Sequence, residues 1–132
     1  MTRPAHRAVP DIRLRRAYED PGANDGYRVL VDHYWPRGRS RDALKLDEWA
    51  RDLAPEPALI QWFGHKPERW DEFRQRYAAW LDDPAQLQQL AGLLRAAGEG
   101  VLTLVYGARH ETQNQAVVIR EALIRTAEQQ RR

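Results

Sequence analysis

Asp32-His33-Tyr34-Trp35-Pro36-Arg37-Gly38-Arg39 is the densest run of chemistry-bearing residues in the chain, and Arg41 and Lys45 follow it closely. A carboxylate, an imidazole, an indole and several fixed cations in one loop have the composition of a binding site. The planar guanidinium fork matches phosphate or carboxylate bidentately. Pro36 and Gly38 constrain the backbone around Arg37, and Gly38 lets the main chain approach a ligand closely. A second group, Tyr106-Gly107-Ala108-Arg109-His110, adds another cation shortly before a helix start, where free N–H groups favour an anion. The plainer reading of the same cations is a solvated loop paired with Asp42, Asp47 and Glu48.

Four groups qualify as acid or base: Asp32, His33, His65 and His110. Asp32 stands at a strand end; otherwise it forms a salt bridge to Arg37 or caps a turn. His33 is expected on the opposite side of the strand, away from any substrate of Asp32. His65 follows Gly64, where it either transfers protons or simply complements the end of the preceding helix. The H-E-x-x-H, H-x-E and H-x₃-H spacings are missing, so no metal is expected. G-x-G-x-x-G and the P-loop motif are missing too, and no cofactor is expected. Ser40 is the one serine and there is no cysteine, which argues against serine-based acyl transfer and excludes thiolate chemistry and disulfides.

The elements that position these residues can be read from periodicity. Ile12-Arg-Leu-Arg-Arg-Ala-Tyr18 alternates apolar and basic residues, as a half-exposed strand does. Tyr27–Asp32 reads as a second strand, and the short connector Glu19–Gly26 predicts antiparallel pairing if the two are neighbours. Short helices are expected over Leu46–Leu53 and Pro55–Phe63. A long one is expected over Pro67–Leu81, with Trp70, Phe73, Tyr77 and Trp80 on one face. A further helix runs from Asp83-Pro84 to Gly98. Val101–Tyr106 has the continuous apolar character of a strand buried on both faces. Thr112-Gln-Asn-Gln115 fits a capping box opening a last helix.

The expectation is therefore an α/β fold. It is a single small domain over residues 12–128, with a short, mostly parallel sheet of three or four strands and helices packed on it. Residues 1–11 form a flexible lead-in and 129–132 a frayed end. In such sheets ligands bind outside the carboxyl ends of the strands, which brings the Asp32 and Tyr106 loops to one edge.

Composition limits the function classes. The 132 residues carry 21 Lys+Arg against 19 Asp+Glu, a formal charge of only +2, so bulk charge makes no strong case for nucleic acid or an anionic membrane. No run approaches the ~20 apolar residues of a membrane span and no secretory leader is legible, which gives a cytoplasmic expectation. Of the five tryptophans, Trp49, Trp62, Trp70 and Trp80 lie within expected helices and read as core, whereas Trp35 lies beside the arginines and can wall a pocket.

Several of these segments carry a family resemblance. Tyr27-Arg-Val-Leu-Val-Asp32 running into Trp35-Pro-Arg-Gly38 resembles the signature of the bacterial YeaO-like family, classed as domain of unknown function DUF488. So do Leu53-Ala-Pro55, Trp62-Phe-Gly-His65 with Trp70 and Phe73, and Tyr106-Gly-Ala-Arg109 with Asn114 and Ala116. The likeness runs from about Ile12 to Leu123. It implies a small cytoplasmic α/β domain but brings no established activity. It marks Asp32, Trp35, Arg37, Lys45, His65, Tyr106 and Asn114 as signature positions. The chain departs from the pattern at His33-Tyr34, usually an arginine and an aliphatic residue. It departs again at His110, commonly Asp, and at Gln113, commonly His. Lys66 stands where an Asp would cap the long helix.

Together these readings give a strand-end pocket for a phosphate- or carboxylate-bearing small molecule, nucleotide-like among the options. Arg37, Lys45 and Arg109 hold the anion, with Gly38 and Asn114 beside them. Trp35 and Tyr106 shape the pocket, and Asp32 and His65 are the proton-transfer candidates. Two alternatives remain: a nucleic-acid module using the Arg37–Lys45 loop and the basic first strand, which the small net charge disfavours, and a non-catalytic homodimeric interaction domain.

Overall fold

Alternating and continuous apolar runs become β1 (Asp11–Arg16), β2 (Tyr27–Leu30) and β4 (Val101–Tyr106), joined by the exposed two-residue β3 (Glu48–Trp49), in a computed structural model that describes residues 10–130. They form one parallel sheet in the order β1-β4-β2-β3. Around it lie α1 (Arg41–Leu44), α2 (Pro57–Phe63), α3 (Trp70–Leu81), α4 (Pro84–Ala97) and α5 (Gln115–Gln130), making a single α/β domain. The expected lead-in falls largely on residues 1–9 and the expected frayed end partly on 131–132, which lie outside the described residues; β1 begins at Asp11 and α5 reaches Gln130. Among the described residues, no helix is long and apolar enough to cross a membrane.

β1 and β2 are not neighbours, so the antiparallel pairing expected of them as neighbours does not arise. β4 lies between them, parallel to both, with Arg16 opposite Tyr106 and Leu30 opposite Val105. The reason is reach. Residues 17–26 fully extended span up to ~33 Å, more than the ~20 Å of a six-residue strand, so the return needs no helix. The inserted strand is the one whose residues are apolar on both faces, and Leu102 through Tyr106 are all buried.

The expected helix over Leu46–Leu53 is also absent. The chain instead makes the single turn of α1, the two-residue β3 and a 3-10 turn at Arg51–Leu53. Ser40 caps α1 by accepting from the Ala43 N–H, and Lys45 ends it in a left-handed conformation, φ +47°. Asp47 then engages the sheet: its N–H donates to Arg28 O at 2.8 Å while its carboxylate accepts the Arg28 N–H at 2.8 Å. The acidic residues that resemble a helix start are thus strand partners, and Glu48 accepts the Tyr27 hydroxyl at 2.8 Å.

The sheet divides two cores of unequal size. On one face Val29, Val31, Leu102 and Leu104 pack with Phe73, Tyr77, Leu90, Ile119 and Leu123 of α3, α4 and α5. On the other, a small cluster of Ala17, Leu30, Leu44 and Val105 lies beneath α1 with Trp35 and Leu46. Phe63, Trp70, Phe73, Tyr77 and Trp80 form a run of neighbouring rings, with Phe63 and Phe73 stacked at 4.5 Å. The Tyr77 hydroxyl donates to Leu53 O, tying α3 to the 3-10 turn.

The amino end of the sheet is held by polar groups. Asp25 and Arg28 are both buried and meet at 2.5 Å, Arg15 reaches Asp25 at 3.2 Å, and Thr103 donates to Asp25 O at 2.6 Å. Burial alone would raise the Asp25 pKa. The Gly22 N–H, Arg28 and Arg15 outweigh it and hold the carboxyl below the usual range. Beside it, Gly26 has φ +64°, and a Cβ there would lie 2.2 Å from Val101 O.

Candidate functional site

The carboxyl ends of β2 and β4 open at one edge, as parallel neighbours must. Past β2, the Val31 N–H donates to Val105 O, and the loop backbone is gripped from the side: Trp49 Nε1 donates to Asp32 O at 2.7 Å and Arg51 Nε to His33 O at 2.9 Å. These bonds set Asp32 facing the loop after β4. Its Oδ2 accepts the Gly107 N–H at 2.8 Å, and its Oδ1 accepts the side-chain amide of Gln115, the first residue of α5. Neither Arg37 nor a local turn supplies its partner. A Cβ on residue 107 would lie 2.8 Å from Oδ2, so the contact requires glycine there. Burial pushes the Asp32 carboxyl up to about 6, further than these two hydrogen bonds pull it down.

Asp32 lines a cavity of about 320 Å³. The buried rings of Phe63 and Phe73 and the partly buried Trp35 supply apolar wall, while the exposed Tyr18, Tyr34 and His65 also border it. Gln113, Asn114 and Gln115 add amides from the start of α5. Trp35 spends its N–H on Arg39 O at 2.5 Å and meets Trp49 edge-on at 5.5 Å, so the indole serves as a surface. His33 lines the cavity alongside Asp32. The alternation that would separate them ends with β2 at Leu30, and the loop beyond it brings both residues to one lining.

His65 has φ +56°, directly after Gly64 at φ +54°. Gly64 is the backbone cap residue of α2 and His65 stands directly beyond it, its imidazole 5.9 Å from the Phe63 ring on the cavity lining. A left-handed backbone at a non-glycine residue costs about 1 kcal/mol, and such strain concentrates at functional sites.

The turn before α5 also differs from expectation. Thr112 does not cap the helix. Asn114 does, accepting the Val117 N–H at 3.2 Å while its Nδ2 donates to His110 O at 2.8 Å. His110 Nδ1 accepts the N–H groups of Gln113 at 3.0 Å and Thr112 at 3.3 Å. A carboxylate can accept the same two donors, so the imidazole keeps the turn with different chemistry.

The cavity thus gathers Asp32, Trp35, His65 and Asn114 from the residues the sequence singles out. Arg37 and Arg109 are exposed and do not line it, but each directly follows a residue that does, Pro36 and Ala108, and Arg37 O accepts the hydroxyl of the lining residue Tyr18 at 3.1 Å. Gly38 is exposed at φ +79°, Lys45 ends α1, and Tyr106 is buried at the end of β4; none of the three borders the cavity. Sequence reasoning missed Gln115, whose role depends on the true start of α5, and Gly107, whose signal was a glycine directly after a buried strand. It also missed the wall formed by Phe63 and Phe73. Among the described residues, no three His, Asp or Glu side chains gather as a metal centre requires.

Comparison with known proteins bears out the family resemblance. The family model described as "Inactive DUF488-N3 subclade" matches residues 11–132. An uncharacterised protein of Mycobacterium tuberculosis is 41% identical over 112 residues, covering 85% of this chain and 92% of its own. The uncharacterised protein YeaO of Escherichia coli is 37% identical over 114 residues, covering 86% and 96%. No solved structure matches. The chain belongs to the DUF488 family, in the branch whose model is described as the inactive N3 subclade.

Proposed function

We propose that the strand-end cavity binds a small organic molecule bearing a phosphate or carboxylate group, with the body of the ligand inside and its anionic group at the mouth. The observation that carries this reading is the cavity at the carboxyl ends of β2 and β4, lined by aromatic, aliphatic, imidazole and amide side chains around Asp32, with the exposed Arg37 and Arg109 each next in the chain to a lining residue. Such a lining suits a planar body with a few hydrogen-bonding groups. Its interior repels an anion once Asp32 is ionised, whereas the exposed Arg37 and Arg109, each next in the chain to a lining residue, can meet one outside.

Binding without turnover is the favoured form of this function. The description of the matching family as an inactive subclade agrees with a retained pocket and lost chemistry. Asp32 and His65 remain the groups to test for proton transfer, since a carboxyl titrating near 6 can serve as acid or base at neutral pH.

The test is calorimetric titration with paired ligands, nucleotides and aromatic phosphates against their dephosphorylated counterparts. Arg37→Ala and Arg109→Ala should each weaken the phosphorylated member about tenfold or more, the scale of a charge-assisted hydrogen bond, and leave its partner unchanged. Equal affinities within every pair, or phosphate binding indifferent to both substitutions, overturns the reading.

A further inference from the structure

Within that same site, the chemistry of the lining defines the end of the ligand that goes in. A carboxylate offers about four lone-pair positions, and Gly107 and Gln115 occupy one on each oxygen of Asp32. Both oxygens therefore keep capacity to accept a further donor. Among the described residues lining the cavity there is no Lys or Arg, and Asp32 is the one carboxylate. Trp35, Phe63 and Phe73, with Pro36, Pro55, Ile60 and Ala108, make the rest of the lining largely apolar, a setting in which an ion pair with Asp32 is weakly screened. Trp35 is bound through its N–H to Arg39 O, so its polar edge is already satisfied.

We infer that the part of the ligand entering the cavity is a planar nitrogen cation of the amidine type, paired through two N–H donors with Asp32 against the apolar wall. This rests on the proposed binding function only for the location of the site. The pairing matches two parallel donors to two adjacent acceptors, the arrangement that makes guanidinium–carboxylate contacts strong. The ionised state of Asp32 is needed, and its elevated pKa means that mild acid removes it. The other titratable groups around it are His33, His65, Tyr18 and Tyr34 on the lining, and Tyr77 from α3. Burial, and then the nearby Asp32 charge, keep the Tyr77 hydroxyl protonated well above its usual range.

Three probes of one shape separate the alternatives: benzamidinium, neutral benzamide and anionic benzoate. Each is titrated into the full chain at pH 8 while the amide signals of Gly107 and the Gln115 side chain are followed by NMR. Benzamidinium should move both signals and bind at least tenfold more tightly than benzamide, with benzoate weaker still. Asp32→Asn, which keeps the shape of the side chain, should cut benzamidinium affinity at least tenfold with an unchanged circular dichroism spectrum. Benzamide or benzoate binding as tightly as benzamidinium, undiminished binding to Asp32→Asn, or benzamidinium leaving the Gly107 and Gln115 signals in place would each overturn the inference. The two proposals fail separately. Benzamidinium binding with phosphate affinity indifferent to Arg37 and Arg109 removes only the anionic mouth. Arginine-dependent phosphate binding without a benzamidinium response removes only the cationic head.

Discussion

Gly107 donates its N–H to Asp32 Oδ2 at 2.8 Å, and the same oxygen occupies the place where a side chain on residue 107 would begin. One contact thus joins the loops after β2 and β4 and leaves no room for another residue type. Gly107→Ala should push the Asp32 carboxylate away from its donors while the strands and helices persist. Expected outcomes are a loss of about 1–2 kcal/mol of stability from the broken hydrogen bond and crowding, and at least tenfold weaker ligand binding. Denaturant unfolding and calorimetric titration on the same variant check both.

Asp32 imposes a stability cost that depends on pH. Its folded pKa of about 6 lies above the value of 3.8 for an unperturbed Asp, so the folded state binds the proton more tightly than the unfolded state does. Below about pH 4 both states are protonated and no cost exists. It grows as pH rises from 4 to 6 and is complete above 6, at no more than about 3 kcal/mol. Asp32→Asn should therefore raise stability by about 1–2 kcal/mol at pH 7.5, a few degrees in Tm, and leave it unchanged at pH 4. Melting curves across that range decide the matter; a variant less stable than the parent at pH 7.5 contradicts it. A residue whose removal stabilises the fold but empties the site is one retained for function.

The sheet edge and its loops were legible in the sequence because they depend on local composition. Val101–Tyr106 is apolar but for Thr103 and reads as a strand buried on both faces, and Asp32 and Trp35 follow a strand end. What was illegible depended on partners far along the chain. Nothing near Asp47 reveals that it bonds both N–H and carboxylate to Arg28, and a helix start has the same acidic look. Thr112 and Asn114 are both good capping residues, and only the loop geometry imposed by His110 decides between them. The arginines stood out by charge, yet the cavity is lined by aromatic, aliphatic and amide side chains from the strand-end loops and from α2, α3 and α5.

That choice of cap is measurable. Asn114 is buried and satisfies two backbone groups, so Asn114→Ala should cost about 1–2 kcal/mol by leaving the Val117 N–H and His110 O without it. Thr112 is exposed and its side chain caps nothing in α5. Thr112→Ala should stay within about 0.5 kcal/mol of the parent. Urea midpoints for the pair test the assignment, and a larger loss from Thr112→Ala would restore the capping box.

Asp25 and Arg28 form the polar anchor at the opposite end of the sheet, and its energetics are asymmetric. Removing Asp25 strands a guanidinium that is buried, with Nη2 already unpartnered and Nε spent on Leu44 O. Asp25→Ala should therefore cost about 3–5 kcal/mol, the scale for an uncompensated buried charge. Removing both charges should be cheaper than removing one, so Asp25→Ala with Arg28→Met should recover part of that loss. The pH signature is opposite in sign to that of Asp32. The depressed pKa of Asp25 contributes stability above about pH 4, lost as pH falls through its folded value below 3.8. Unfolding measured from pH 7 to pH 2 should show the parent losing this stability in the acid range and the double variant losing less. Equal acid sensitivity in the two would place the anchor's energy elsewhere, in the Thr103 hydroxyl bond to Asp25 O and the packing around Gly26.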